Sequence, residues 1–290
     1  MTPCESIDFC RAYFYIEDVK RINKKKRRNI IILIICCAAV VAGAVILVTS
    51  LVPSRKSLLP GADYSCAEGF EGLRVKRVIE AFDLKNTTGM GGAYYDQATE
   101  QAVSGFQQDK GLEVTGEVDF ETWKALGLSE EEWNICGAYQ SPCEVSSSAS
   151  SEEKIEAMIS RAYEYLSDPY VIGASGPPGK EYGLDCSGLV MQGLYAAGVA
   201  LSDINPVTHA QPGHEYESRN MWNSDHFTVV KYEDRERGDL IFYSDQNGIV
   251  IHVAIYLGDD QVIESWPDEV QVSPVTDYRH PIIQGVKRVF

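Results

Sequence analysis

The 290-residue chain is long enough for about two folded domains, and its formal net charge is −16. Residues 1–52 hold 8 Lys/Arg against 4 Asp/Glu, whereas residues 53–290 hold 18 against 38. An acidic body lacks the basic stripes that displace counterions from phosphate backbones, so nucleic acid is excluded as a partner.

Residues 1–29 form a polar tail that ends in the basic cluster Lys20, Arg21, Lys24, Lys25, Lys26, Arg27 and Arg28. Residues 30–52 then run without a charge from Ile30 to Val52. As a helix these would extend roughly 34 Å, enough to cross a bilayer core. The run predicts a single-pass transmembrane helix with the lipid bilayer as partner. The positive flank places the N-terminus in the cytoplasm and everything after residue 52 outside the cell membrane. A cleaved signal peptide is the alternative, but the apolar region is long for one and no small-x-small site follows it.

Residues 53–67 read as a polar spacer. Over 68–130, apolar residues recur at helical spacing in Val75, Val78, Ile79 and Phe82, and again in Ala98, Ala102, Val103 and Phe106. Phe120, Trp123, Leu126 and Leu128 follow as a third short stretch, so a small three-helix domain is predicted. Residues 131–151 pass through Cys136 and Cys143 into the run Ser146-Ser147-Ser148-Ala149-Ser150-Ser151, the composition of a flexible linker. A second domain over 152–290 opens with an amphipathic helix from Glu152 to Leu166, with Ile155, Met158, Ile159, Ala162 and Tyr165 on one face.

Of the eight cysteines, two lie in the tail and two in the apolar run. One bridge among Cys66, Cys136 and Cys143 is compatible with an oxidising compartment, although spacing does not choose the pair. No Cys/His cluster has zinc-ligand spacing, so neither a metal nor another cofactor is predicted.

A loop rich in Gly and Pro, Gly176 to Gly183, delivers the chain to Leu184-Asp185-Cys186-Ser187-Gly188-Leu189-Val190. Helical spacing through Leu194 and a Gly at 198 put Cys186 in the first turn of a helix. There, unpaired N–H groups and the helix dipole favour the thiolate. A small buried apolar residue is the other reading of a free cysteine. A histidine farther along selects between them: the strand Val250 to Leu257 carries His252. Cysteine on a helix start followed by histidine on a strand is the outline of a cysteine hydrolase.

The next strand holds Glu264. With a three-residue turn at Gly258–Asp260, Glu264 lies opposite Ala254 and on the face of His252, whereas a two-residue turn would flip it away. On the first geometry it orients the imidazole as a carboxylate does in serine triads; on the second it is a solvated edge residue. His209, His214, His226 and His280 fall in loop-like contexts, which predicts surface or packing roles. Asp239 reads as a turn former.

Asp-Cys-Ser-Gly at 185–188, Arg-Gly-Asp-Leu-Ile-Phe at 237–242 and His-Val-Ala-Ile-Tyr-Leu-Gly at 252–258 occur in this order. Together they resemble the NlpC/P60 family of cell-wall cysteine peptidases over residues 152–290. The resemblance implies an α+β, papain-like catalytic domain in which the Cys-bearing helix packs on an antiparallel sheet. It makes Cys186 the nucleophile and His252 the general base. The family usually places His, sometimes Asn or Gln, where this chain has Glu264. Tyr170 matches a tyrosine that lines the substrate cleft, and Asp185 and Ser187 match residues that bind a substrate amine or backbone. A packed aromatic and a helix cap are the other readings of Tyr170 and Asp185.

The strings Ala102-Val103-Ser104-Gly105-Phe106-Gln107 and Gly111 to Gly116, followed by Thr122-Trp123, resemble the peptidoglycan-binding domain found beside many wall hydrolases. Its usual Leu-Gln pair appears here as Val78-Ile79, and a spacer role is the alternative to glycan binding. The combined expectation is a membrane-anchored enzyme whose partner is peptidoglycan, cutting stem peptides between D-glutamate and a diamino acid. A non-catalytic wall-binding scaffold, or an amidase or transpeptidase on another wall bond, would use the same domain.

Overall fold

A computed structural model of the chain describes residues 58–59, 64–85, 92–136, 139–140, 145–146, 148–199, 208–276 and 282–290. The basic tail, the apolar run at 30–52, Cys143 and His280 lie outside them. Among the described residues no helix is long and apolar enough to cross a membrane.

The small domain is built on four helices among the described residues: α1 (Leu73–Ala81), α2 (Gln97–Lys110), α3 (Phe120–Ala125) and α4 (Glu130–Cys136). Asp96 and Asp119 begin α2 and α3 by accepting the backbone N–H groups of Thr99 and Thr122, the standard relief for orphan donors at a helix start. Val75, Val78, Ile79, Val103, Trp123 and Trp133 fill the core.

The fourth helix corrects the three-helix expectation. Three glutamates mask its sequence pattern, yet Trp133 packs edge-on against Trp123 at 5.3 Å between ring centroids. The domain also reaches back into the expected spacer. Cys66 pairs with Val118 in a short antiparallel bridge. Arg74 lies over the rings of both Tyr64 and Trp133 and donates to their backbone carbonyls at 2.7 and 3.1 Å. One buried guanidinium thus ties the two ends of the domain together. Cys66 and Cys136 are free thiols, so neither takes part in the disulfide considered from the sequence. Two short strands, β1 (Leu58–Leu59) and β2 (Tyr139–Gln140), pair antiparallel.

The second domain opens at α5 (Ser151–Glu164), started by a reciprocal capping box between Ser150 and Glu153. Helix α6 (Cys186–Ala196) is buried along its whole length, as its nearly unbroken apolar sequence requires. Gly193 lets α5 and α6 approach, because a Cβ there would lie 2.8 Å from Met158 Cγ. After the short helix α7 (Ser218–Asn223) come strands β3 (Thr228–Val230), β4 (Leu240–Ser244), β5 (Val250–Gly258), β6 (Gln261–Ser265), β7 (Val270–Pro274) and β8 (Ile283–Arg288).

These six strands form one antiparallel sheet in the order β3-β8-β4-β5-β6-β7. Leu240, Phe242, Val253, Ile255 and Ile263 share a core with α5 and α6, while Ile241, Tyr243, Ala254, Tyr256 and Val286 form a second core. Both faces are therefore apolar, and period 2 assigns alternate residues to each. Asp239 accepts from Glu236 N and from the Arg288 guanidinium, consistent with a turn former.

The two domains are docked. Leu73, Ala93 and Cys136 share an apolar cluster with Val171 and Ala174. Gln211 donates to Glu71 O at 2.7 Å, and Arg77 donates to Glu181 O at 2.9 Å. The Ser-rich run therefore does not act as a tether that lets the domains separate freely.

Candidate active site

Cys186 is the first residue of α6, and Asp185 caps it by accepting Gly188 N at 2.7 Å. The chain reaches this turn through Ala174, whose carbonyl accepts Asp185 N at 3.0 Å. A Cβ on Gly188 would lie 2.3 Å from that same carbonyl oxygen. Only glycine allows the helix start to sit this close to the preceding loop. Ser265 Oγ adds a bond to Leu184 O at 2.7 Å, tying β6 to the Cys-bearing turn.

The thiol itself is buried, and burial is the main reason its pKa is raised, with the neighbouring Asp185 charge adding to the rise. The backbone N–H groups of Val253 and Ser187 point at the sulfur and oppose the shift. Desolvation thus works against the helix dipole at this thiol. Val253 follows His252 on β5, which brings the nucleophile against the strand that carries the imidazole.

His252 Nε2 lies 2.7 Å from Glu264 Oε2. A carboxylate accepts only, so Nε2 carries the hydrogen and the neutral ring has its lone pair on Nδ1. Glu264 Oε1 in turn accepts from Ser273 Oγ on β7. The turn between β5 and β6 holds only Asp259 and Asp260, both left-handed at φ 51° and 54°, a two-residue hairpin of the type that matches strand twist. By itself that turn would put Glu264 on the wrong face. A bulge between Tyr256 and Gly258 makes Leu257 an extra residue and restores the parity. With Ile255 opposite Ile263, Glu264 falls beside Ala254 and shares its face with His252.

Aromatic rings hold the imidazole in place. Tyr243 and Trp266 lie 5.5 and 5.6 Å from the His252 ring, and Tyr170 meets Trp266 edge-on at 5.6 Å. The Tyr170 phenol is nearly buried. Burial raises its pKa, and the nearby Cys186, Asp185, Glu71 and Glu217 add to that.

Asp185 and Ser187 are placed differently from simple substrate contacts. Both are buried, and Ser187 Oγ donates to Asp185 Oδ1 at 2.7 Å. Asp185 also accepts Gly173 N at 2.8 Å and meets His209 Nε2 at 3.1 Å. Burial opposes its ionisation, but the His209 charge and the donors of His209, Gly188 and Ser187 outweigh it and hold the carboxyl below its usual range.

His209 is a fully buried partner of Asp185, a specific role that its loop-like sequence context did not signal. Ser273 and Trp266 carry no local sequence signal: Ser273 reaches Glu264 from the neighbouring strand, and Trp266 stands just past the end of β6. His214 and His226 are exposed. Among the described residues no group of three or more His, Cys, Asp or Glu could hold a metal ion.

The site thus joins a thiol at the start of a helix packed on the sheet with a buried, carboxylate-backed imidazole on that sheet, the residue types of a cysteine hydrolase. Residues 167–286 match the NlpC/P60 family, and residues 76–126 match the peptidoglycan-binding domain family. The chain thus has a region similar to the NlpC/P60 family, preceded by a region similar to peptidoglycan-binding domains.

The probable endopeptidase YafL of Escherichia coli K12 is 36% identical over 111 residues, 38% of this chain and 39% of that protein. The bifunctional muramidase/DL-endopeptidase CwlT of Bacillus subtilis 168 is 30% identical over 120 residues, 41% of this chain and 31% of that protein. The chain therefore spans well under half the length of these two relatives. Among solved structures, the P60 domain of antigen MAP1204 from M. avium subspecies paratuberculosis is 28% identical, covering 48% of this chain and 96% of that one with a TM-score of 0.37.

Proposed function

We propose that the protein is a peptidoglycan endopeptidase that cuts stem-peptide amide bonds, of the D-glutamyl–diamino acid type, by a Cys186–His252 mechanism. The observation that carries this reading is the buried His252–Glu264 pair on β5, whose Val253 shares a core with Cys186 at the start of α6. His252 Nδ1 takes the thiol proton as sulfur attacks the amide carbonyl carbon. A C–S bond forms, and the oxyanion is stabilised by the Cys186 N–H at the helix start. The imidazolium, stabilised by Glu264, gives its proton to the leaving amine as the C–N bond breaks. Water, deprotonated by His252, then hydrolyses the thioester and the thiol regains its proton. The family match and the endopeptidase names of the relatives support the substrate class.

In this reading residues 30–52 anchor the enzyme in the cell membrane with the catalytic domain outside, and peptidoglycan is the partner of both folded domains. Extraction of the full chain from cells by detergent, with resistance to alkaline carbonate, is the expected behaviour of the anchor.

Digestion of purified peptidoglycan by the full chain and by Cys186→Ser, with products identified by mass spectrometry, tests the activity. New stem-peptide fragments ending at the D-glutamyl bond are expected from the wild-type chain only. Fragments cut at another wall bond would assign an amidase or transpeptidase. Wall binding without fragments would assign a non-catalytic scaffold.

A further inference from the structure

At one catalytic position the chain differs from the NlpC/P60 pattern: Glu264 stands where His, Asn or Gln is usual. That difference raises a problem that a neutral acceptor would not. Glu264 is fully buried, and a carboxylate removed from water needs donors on both oxygens to stay ionised. His252 Nε2 serves Oε2 at 2.7 Å, and Ser273 Oγ serves Oε1. A carboxylate only accepts, so the Ser273 hydroxyl is the donor.

The sheet holds Ser273 in this place. Strands β6 and β7 pair with Val262 opposite Ser273 and Glu264 opposite Gln271. Val262 and Glu264 share a face, so Ser273 is the diagonal neighbour of Glu264 on that face. At the start of β7, Val270 N donates to Asp168 O and Ser167 N donates to Val270 O, both at 2.8 Å. Just past its end, Val275 N donates to Asp260 O at 2.8 Å and Tyr243 Oη donates to Val275 O at 3.1 Å. The strand lies at the edge of the sheet, yet Ser273 is only 3% exposed. Its hydroxyl is thus fixed from both ends of β7 and shielded from bulk water.

We propose that Ser273 is a positioning residue of the reaction, which sets the basicity of the His252 imidazole through the Glu264 carboxylate. This rests on the Cys186–His252 reading above and deepens it. A hydroxyl suits the position better than a cation. Lys or Arg on Oε1 would neutralise Glu264 and leave the imidazolium without its counter-charge. A neutral donor keeps the carboxylate charged and aims its other oxygen at Nε2. Loss of that donor destabilises the carboxylate most when the ring is neutral, because an imidazolium compensates the charge. Protonation of His252 then becomes easier, and the working base is lost at a higher pH.

The titratable groups around the pair come from several elements. Tyr243 on β4 lies 5.5 Å from the imidazole, and Tyr256 on β5 pairs with Val262. Cys186 begins α6 with Asp185 as its cap, and Tyr170 stands against Trp266. Strand β7 brings no titratable side chain. Asp259 and Asp260 in the turn before β6, and Asp268 and Glu269 in the turn after it, are exposed.

The test is a histidine NMR titration of the full chain in detergent, with the His252 signal assigned by its loss in His252→Gln. Ser273→Ala should raise the His252 midpoint by about 0.5–1 pH unit. Ser273→Thr, which keeps the hydroxyl, should return it to the wild-type value. In a Glu264→Gln background the effect of Ser273→Ala should vanish, because Ser273 acts through the carboxylate. With a synthetic stem peptide as substrate, Ser273→Ala should move the acidic limb of kcat/KM upward by the same interval and leave KM within about 2-fold. The titration needs no substrate, so an inactive chain would count against the endopeptidase reading alone. An unmoved His252 midpoint in folded Ser273→Ala, or an equal displacement in the Glu264→Gln background, overturns the proposal.

Discussion

Glu264 Oε2 stands 2.7 Å from His252 Nε2, with both side chains buried and a second bond from Ser273 Oγ fixing the far oxygen of the carboxylate. A neutral acceptor would orient the ring equally well but would not stabilise the imidazolium formed when the thiol ionises. Glu264→Gln should therefore lower kcat by about 10²–10⁴-fold with little change in KM, the range of a general base deprived of its carboxylate. Glu264→Asp, which keeps the charge and shortens the reach, should recover part of the loss. Because Glu264 acts through His252, the pH–rate profile is the discriminating readout: the acidic limb, set by the His252 base, should move to lower pH in Glu264→Gln. An unchanged profile would reduce Glu264 to a packing role.

Asp185 gathers the donors of Gly173, Ser187, Gly188 and His209 in a buried site. Asp185→Ala leaves all four without their acceptor and should destabilise the catalytic domain by about 3–5 kcal/mol, as breaking buried charged pairs does. The folded carboxyl titrates below its ordinary value. Its stabilisation is therefore complete above the unfolded pKa of about 3.9 and fades as pH falls through the lower folded value. Denaturant melts of wild type and Asp185→Ala should converge in acid and diverge above pH about 4.

The order of helices and strands in the catalytic domain is legible in the sequence because apolar periodicity and turn residues mark each element. Cys186 and His252 are legible because each sits in a distinctive local frame. Glu264 was legible in position but not in register. A two-residue turn and a compensating bulge at Leu257 give the same parity as the three-residue turn assumed from the sequence. His209 and Glu71 were not legible at all, since what places them beside Asp185 is the folding of a loop and the docking of two domains. Helix α4 was hidden by its glutamates, although Trp133 was a visible apolar anchor.

Cys66 and Cys136 are buried thiols, pushed up to about 12 and about 11, chiefly by desolvation. The thiolate is the reactive form, so both should resist iodoacetamide in the native chain at neutral pH and become fully alkylated in denaturant. Peptide mapping by mass spectrometry separates them from the other cysteines. Labelling of either one under native conditions would mean that the small domain opens readily and that its core is less protected than the packing around Arg74 implies.

Two glycines on helices make opposite predictions from the same substitution. Gly105 lies on the exposed face of α2, and a Cβ there meets nothing within 4 Å. Gly105→Ala should stabilise the small domain by about 0.5–1 kcal/mol, the helix preference of alanine over glycine. At Gly188 the added Cβ would sit 2.3 Å from Ala174 O, a backbone atom that also accepts Asp185 N. Relief requires the start of α6 to move away from the loop, and Cys186 moves with it. Gly188→Ala should cost about 1–3 kcal/mol, as overpacking does. It should also lower kcat more than the stability loss alone accounts for, because a displacement near 1 Å can cost about 10²-fold in rate. Thermal melts of both variants, with turnover measured well below their midpoints, separate the two effects. Full activity in a folded Gly188→Ala chain would show that the Cys186 turn tolerates the shift and that its close approach to Ala174 does not position the nucleophile.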